Sequence, residues 1–281
     1  MRIETKAGRL SKLVWPAFCL ILAGCSVRHI VYPAPPVSVP DPPRPLRAVS
    51  WSLGDGTQIA SWVHDEPGLV STGPAVLFLH GNGENLETMR QVGLFEELFA
   101  LEVPFVVLDY PGYGRSTGVP SEASLLEAGS VALEWMRQHF GHRPTVVVGW
   151  SLGAAVAIGL AAANPERCDG LVAMSAWTSL ADVGASHFPR WLVEVAVADR
   201  YDSTVAAERV VCPALVIHGS RDRIIPVEQG REVAAALRAD WLEVPSAGHN
   251  DLLGNNMVWR RLFDFLASIQ PPPSPERTSG L

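Results

Sequence analysis

Five short, almost unbroken apolar runs, at residues 75–79, 105–108, 145–148, 170–174 and 214–217, are separated by longer stretches with helical spacing. A strand with one wet face alternates apolar and polar residues. A continuous run such as AVLFL or TVVV offers water neither face, so its strand must be covered on both sides. Parallel sheets meet that demand, because each crossover between parallel strands lays a helix back over the sheet. The crossovers have the right pattern. Leu125, Ala128, Ala132, Met136 and Phe140 recur at helical spacing over residues 124–140, with Ser124 and Glu127 as a capping-box pair. Residues 152–163, 227–237 and 252–266 predict further helices. Residues 49–53 and 59–63, split by Gly54-Asp55-Gly56-Thr57, predict an opening hairpin. The expectation is one α/β domain over residues 48–269, a mostly parallel twisted sheet with helices on both faces. A composition of 48% hydrophobic and 18% charged residues suits a chain with such a core.

In a sheet of this kind, ligands gather beyond the carboxyl ends of the strands. Gly149-Trp150-Ser151-Leu152-Gly153 stands there, between the strand at 145–148 and the helix at 152–163. A sharp strand-to-helix turn presents the central serine, and the flanking glycines let two backbones pass closely. A serine hydroxyl is a weak nucleophile that needs a base within hydrogen-bond reach, and the base needs an acid to orient it. His249, in Ser246-Ala247-Gly248-His249 after the last strand, is the candidate base. Asp222, in His218-Gly219-Ser220-Arg221-Asp222, is the candidate acid, one helical crossover earlier in the chain. No carboxylate follows the preceding strand, in Ser175-Ala176-Trp177-Thr178, to compete with it. Asp109 is read as a turn-fixing carboxylate, Asp251 as a helix cap, His80 as a brace and His218 as a hydrogen-bonded core residue. The loop His80-Gly81-Asn82-Gly83 follows the strand at 75–79, expected beside the serine strand, and the amides of Asn82 and Leu152 are the expected oxyanion donors.

At these residues the chain, from about residue 49 to 266, resembles the α/β-hydrolase superfamily, whose order of serine, acid and histidine it matches. The segments Leu108-Asp109-Tyr110-Pro111-Gly112-Tyr113-Gly114-Arg115-Ser116 and Asp222-Arg223-Ile224-Ile225-Pro226 are similar to those of a small-lid branch with depalmitoylase-like and serine-aminopeptidase-like members. That resemblance implies cleavage of an acyl ester or thioester, with peptide or amide cleavage by the same residues as the alternative. A binding module that keeps the pocket without chemistry is the non-enzymatic alternative. The lid is expected at residues 176–211, where Trp177, Phe188 and Trp191 would line a pocket for a short or medium acyl chain. The other reading of these aromatics is that they pack the insertion onto the sheet.

Arg2, Lys6, Arg9 and Lys12 precede an apolar run that ends in Leu22-Ala23-Gly24-Cys25. Residues 1–24 read as a signal peptide, since the run is shorter than the roughly 20 residues a spanning helix needs. Its end resembles the bacterial lipobox, which implies a diacylglyceryl group on Cys25 and a protein tied to a membrane of the cell envelope, facing the periplasm or exterior. An ordinary secretory signal is the alternative. Seven prolines between residues 33 and 45 suggest a stiff spacer over 25–47, and residues 270–281 a disordered tail. Cys168 and Cys212 each precede a predicted strand; a disulfide is open to them if the strands are neighbours, two buried thiols otherwise. A formal charge of -7 argues against nucleic acid as a partner. No metal-ligand spacing or phosphate-cradling glycine pattern occurs, so no cofactor is implied.

Overall fold

The computed structural model describes residues 31–66, 69, 73–141 and 143–269. The signal-peptide, Cys25 and tail readings lie outside the described residues. The hairpin of β1 (Arg47–Ser52) and β2 (Gln58–His64) opens an eight-stranded sheet with the order β1-β2-β4-β3-β5-β6-β7-β8. Here β3 is Ala75–Leu79, β4 Phe105–Leu108, β5 Thr145–Trp150, β6 Gly170–Met174, β7 Ala214–Gly219 and β8 Asp240–Val244. The pairs β1–β2 and β2–β4 are antiparallel, and every later pair is parallel.

The strands are buried on both faces, as their unbroken apolar runs require. Ala75, Leu77 and Leu79 enter one core with the helices α3 (Glu122–Phe140), α4 (Leu152–Ala163) and α8 (Val227–Leu237). Val76 and Phe78 enter the other, with α1 (Leu86–Gln91), α2 (Leu94–Ala100) and α9 (Asn256–Ser268). Between β6 and β7 lie three short lid helices, α5 (Leu180–Ala185), α6 (Arg190–Ala196) and α7 (Ser203–Ala207). The chain runs outward from β3 to β4 and then returns across β3 to β5, so the order reverses at the β3–β5 pair. That reversal opens a crevice at the carboxyl ends of these two strands.

Two helix starts differ from expectation. Ser121, not Ser124, caps α3, its hydroxyl accepting from the Ser124 N–H, so the helix begins at Glu122. Residues 249–251 form a separate 3-10 turn and α9 starts only at Asn256, because Asp251 bonds the Gly248 N–H at 2.6 Å and closes that turn on itself.

The proline-rich stretch is corrected more substantially. From residue 31 it lies along the domain instead of standing off from it, with Tyr32, Val39 and Leu46 buried. Proline removes N–H donors but leaves carbonyls and intervening side chains to bond. Val37 O accepts from Asn85 Nδ2 at 2.8 Å, and Asp41 pairs with Arg115 at 2.6 Å. Cys168 and Cys212 are free thiols at the starts of the neighbouring strands β6 and β7, with their sulfurs 3.8 Å apart.

Candidate active site

The turn from β5 into α4 forces Ser151 to φ 57 and ψ -117, a strained conformation that costs about 1–3 kcal/mol and points its hydroxyl off the strand end. The glycines around it are required by the close approach of backbones. A Cβ on Gly149 would strike the Gly153 carbonyl, and one on Gly153 would strike the Leu79 carbonyl. The pattern G-x-S-x-G is therefore a packing requirement between β3, β5 and α4 as well as a chemical motif.

Ser151 Oγ lies 2.9 Å from His249 Nε2, and His249 Nδ1 lies 2.7 Å from Asp222 Oδ2. The three side chains, separated by up to 98 residues, form one hydrogen-bonded chain. Asp222 is fixed on its other side, where Oδ1 accepts from the N–H groups of Ile224 and Ile225, both at 2.9 Å. Burial pushes the Asp222 carboxyl up. Hydrogen bonds from His218 and His249, the His249 charge and the Ile225 amide outweigh that and hold it far below the carboxylate range. It is an anion throughout neutral pH. His218, expected only as a core residue, lies 3.3 Å from Asp222 Oδ2 and donates from Nε2 to Ile225 O at 3.0 Å. It is thus part of the acid's mounting, a role its position inside β7 did not signal.

Asn82, Ser151, Leu152 and His249 line one cavity of about 700 Å³. The amides of Asn82 and Leu152 donate no hydrogen bond to any group among the described residues. The loop that carries Asn82 is clamped from several directions. Tyr110 Oη donates to His80 O at 2.9 Å, Tyr113 Oη to Asn82 Oδ1 at 2.8 Å, and Gly81 N–H to Glu84 Oε2 at 2.8 Å. Burial pushes the His80 imidazole down to about 4, so it is neutral and donates from Nδ1 to Gly81 O at 2.9 Å. Asp109 fixes the neighbouring loop by accepting from the N–H groups of Leu86 and Arg115. Tyr113 and Glu84 were not singled out in the sequence. Tyr113 lies in the Asp-Tyr-Pro-Gly-Tyr-Gly segment, but its reach of 31 residues back to Asn82 carries no linear signal.

Tyr113→Phe removes one of the two side-chain bonds that orient Asn82, the other running from Asn82 Nδ2 to Val31 O. With the Asn82 amide as the expected oxyanion donor, the change should lower kcat about tenfold with little change in KM, because a loosened donor acts mainly on charge developed in the transition state. Steady-state kinetics on a soluble ester reads the split. Glu84, pushed up by burial to about 8 despite the Gly81 N–H, binds a proton more tightly folded than unfolded. Its contribution to stability is full below the ordinary value of 4.5 and is lost as pH rises through about 8. Urea midpoints should fall across that window in the native chain and fall less in Glu84→Gln, which keeps an acceptor for Gly81.

The three aromatic residues expected in an acyl pocket part company. Trp177 is buried, lines the cavity and donates from Nε1 to Tyr201 O at 3.3 Å. Phe188 and Trp191 do not line it; they stand on the outside of the lid, 61% and 69% exposed. The helix α6 turns Val193 inward against Gly184 of α5, which leaves Trp191 on the opposite side. The inner wall is instead formed by Leu180 and Val183 of α5, Trp150, Leu253 and, from the proline-rich stretch, Val31.

A family model described as alpha/beta hydrolase fold matches residues 74–199. An uncharacterised protein of Mycobacterium tuberculosis is 34% identical over 220 residues, 75% of this chain and 76% of its own. The lysophosphatidylserine lipase of Danio rerio is 28% identical over 190 residues, 62% of this chain and 49% of the lipase, so this chain spans about half of that relative. Among solved structures, an esterase of Pyrococcus furiosus superposes with a TM-score of 0.69 at 19% identity, over 83% of this chain and 97% of the esterase.

Proposed function

The chain belongs to the α/β-hydrolase superfamily, and from that premise we propose that it is a serine hydrolase that cleaves a carboxylic ester or thioester through an acyl-enzyme. The observation that carries this reading is the unbroken chain from Asp222 through His249 to Ser151, facing the same cavity as two uncommitted amides. In the proposed cycle His249 Nε2 takes the Ser151 proton as Oγ attacks the substrate carbonyl carbon. The carbonyl oxygen, now an oxyanion, rests on the amides of Asn82 and Leu152. His249 returns the proton to the leaving oxygen or sulfur as the bond to it breaks, and an acyl-serine remains. Water then gives His249 a proton and attacks the acyl carbon. The released serine oxygen recovers that proton. Asp222 holds the imidazole tautomer and stabilises its charged form.

The cavity wall is largely apolar, which suits an acyl chain, and the lysophospholipid named for the lipase relative is itself an acyl ester. For location, the reading is that Cys25 carries a diacylglyceryl group and ties the domain to a membrane of a bacterial envelope. A fluorophosphonate probe tests the chemistry. Adduct on the Ser151 peptide, with turnover of p-nitrophenyl esters and none of a peptide panel, supports the ester reading. A folded protein that the probe does not label sinks it, and peptide turnover alone replaces it with the amidase reading.

A further inference from the structure

We propose that the lid's outer helix and the cavity mouth form a membrane-docking face, through which the enzyme takes an acyl lipid directly from the bilayer that holds its anchor. The inference deepens the hydrolase and anchor readings above and rests on them. It starts from side chains the cavity does not use. Phe188, Trp191, Leu192 and Val195 crowd a lid segment of eight residues, and Trp191 and Val195 are 69% and 72% exposed. Scattered exposed apolar residues are ordinary, whereas a contiguous group marks a surface that meets something apolar. The group also joins the mouth. His187, next to Phe188, bonds Ile224 O at 3.0 Å, and the exposed Ile224 lines the cavity, as does Val92.

What covers this face is decided by the amino-terminal strap. Val31 lines the cavity and its carbonyl accepts from Asn82 Nδ2 at 2.5 Å. Tyr32 Oη donates to Asp199 at 2.8 Å and lies 3.0 Å from Tyr201 Oη, so the strap is fastened just past the end of α6. From Cys25 to Val31 is six residues. Fully extended, six residues reach about 20 Å. A diacylglyceryl group on Cys25 therefore keeps Val31, at the mouth, within that distance of the lipid surface, and the lid helix ends close to where the strap is fastened. Tryptophan is at home at such an interface, and the apolar group would lie in the boundary between headgroups and acyl chains. A substrate lipid could then enter the cavity without crossing water. The active site and the anchor would act on the same leaflet.

The test uses the native lipidated chain in phosphatidylcholine vesicles, some with brominated acyl chains. Bromine should quench part of the tryptophan emission in the native chain, and at least half of that quenching should vanish in Trp191→Ser. A Phe188→Ser, Trp191→Ser, Val195→Ser variant should hydrolyse a long-chain acyl ester lipid in the vesicles at least tenfold more slowly. Its turnover of soluble p-nitrophenyl butyrate should stay within twofold, which shows the fold intact. No Trp191-dependent quenching, or equal hydrolysis of vesicle lipid by both proteins, overturns the proposal. So does a variant that turns a dimer into a monomer with quenching unchanged, since the face then belongs to a second copy. Failure of the underlying readings looks different. A native chain that hydrolyses neither ester fails as an enzyme while quenching still reads the face, and an amino-terminal peptide without lipid fails the anchor alone.

Discussion

Ser151→Ala should lower turnover of a soluble ester roughly a million-fold, His249→Ala by a similar factor, and the double variant by no more than either alone. The reason is that neither group works without the other. In the acylation step of the proposed cycle, Ser151 Oγ becomes a nucleophile only as its proton passes to Nε2, 2.9 Å away, and that is the proton the imidazole takes in this step. What remains should be on the order of a thousandfold over water, the share that the proposed cycle gives to the Asn82 and Leu152 amides and to binding in the cavity. Alanine at position 151 keeps the strained backbone, so thermal unfolding should change little. Single-turnover measurements with purified variants and loss of fluorophosphonate labelling check both halves. Multiplicative losses in the double variant would mean that the two residues act separately, contrary to the proposed cycle.

Asp222→Asn should cost about ten-thousandfold in kcat with KM nearly unchanged. The amide oxygen can still accept from Ile224 and Ile225, so the loop keeps its mounting. Its nitrogen then faces His249 Nδ1 with a donor where an acceptor stood. The imidazole is driven to the tautomer with its proton on Nε2, which has no lone pair for the serine proton. The same residue carries an acid-stability prediction. Its folded carboxyl lies below the ordinary value of 3.8, so its stabilisation is present above that value and is lost as pH falls below it. Asp222→Asn should flatten this acid limb of the urea midpoint against pH, while kcat reports the tautomer.

Much of the frame was legible because it depends on short-range rules. The strand at Ala75–Leu79 and the helices Leu152–Ala163 and Val227–Leu237 lie where the apolar periodicity puts them. Burial on both faces leaves a strand no polar position, and a helix must keep its 3.6-residue stripe. The turn at Ser151 was legible for a related reason. Only glycine fits at positions 149 and 153, so the steric demand is written into the residues themselves. The start of α3 was misplaced by three residues because Ser121 and Ser124 both have capping chemistry, and only the path of the incoming chain chooses between them.

The amino-acid sequence by itself determined the order of strands and helices, the turn that carries Ser151 and the chemical types available at the strand ends, since each follows from sterics or periodicity within a few residues. Tertiary structure alone decided that Asp222 is also held by His218, that Tyr113 grips Asn82, that the proline-rich strap reaches the cavity, and that Phe188 and Trp191 face outward while Trp177 faces in. Those outcomes depend on which distant surface each side chain meets. A hydrophobic residue is favoured by burial against any apolar partner, and its neighbours in the chain do not say which partner, or which solvent, it will find.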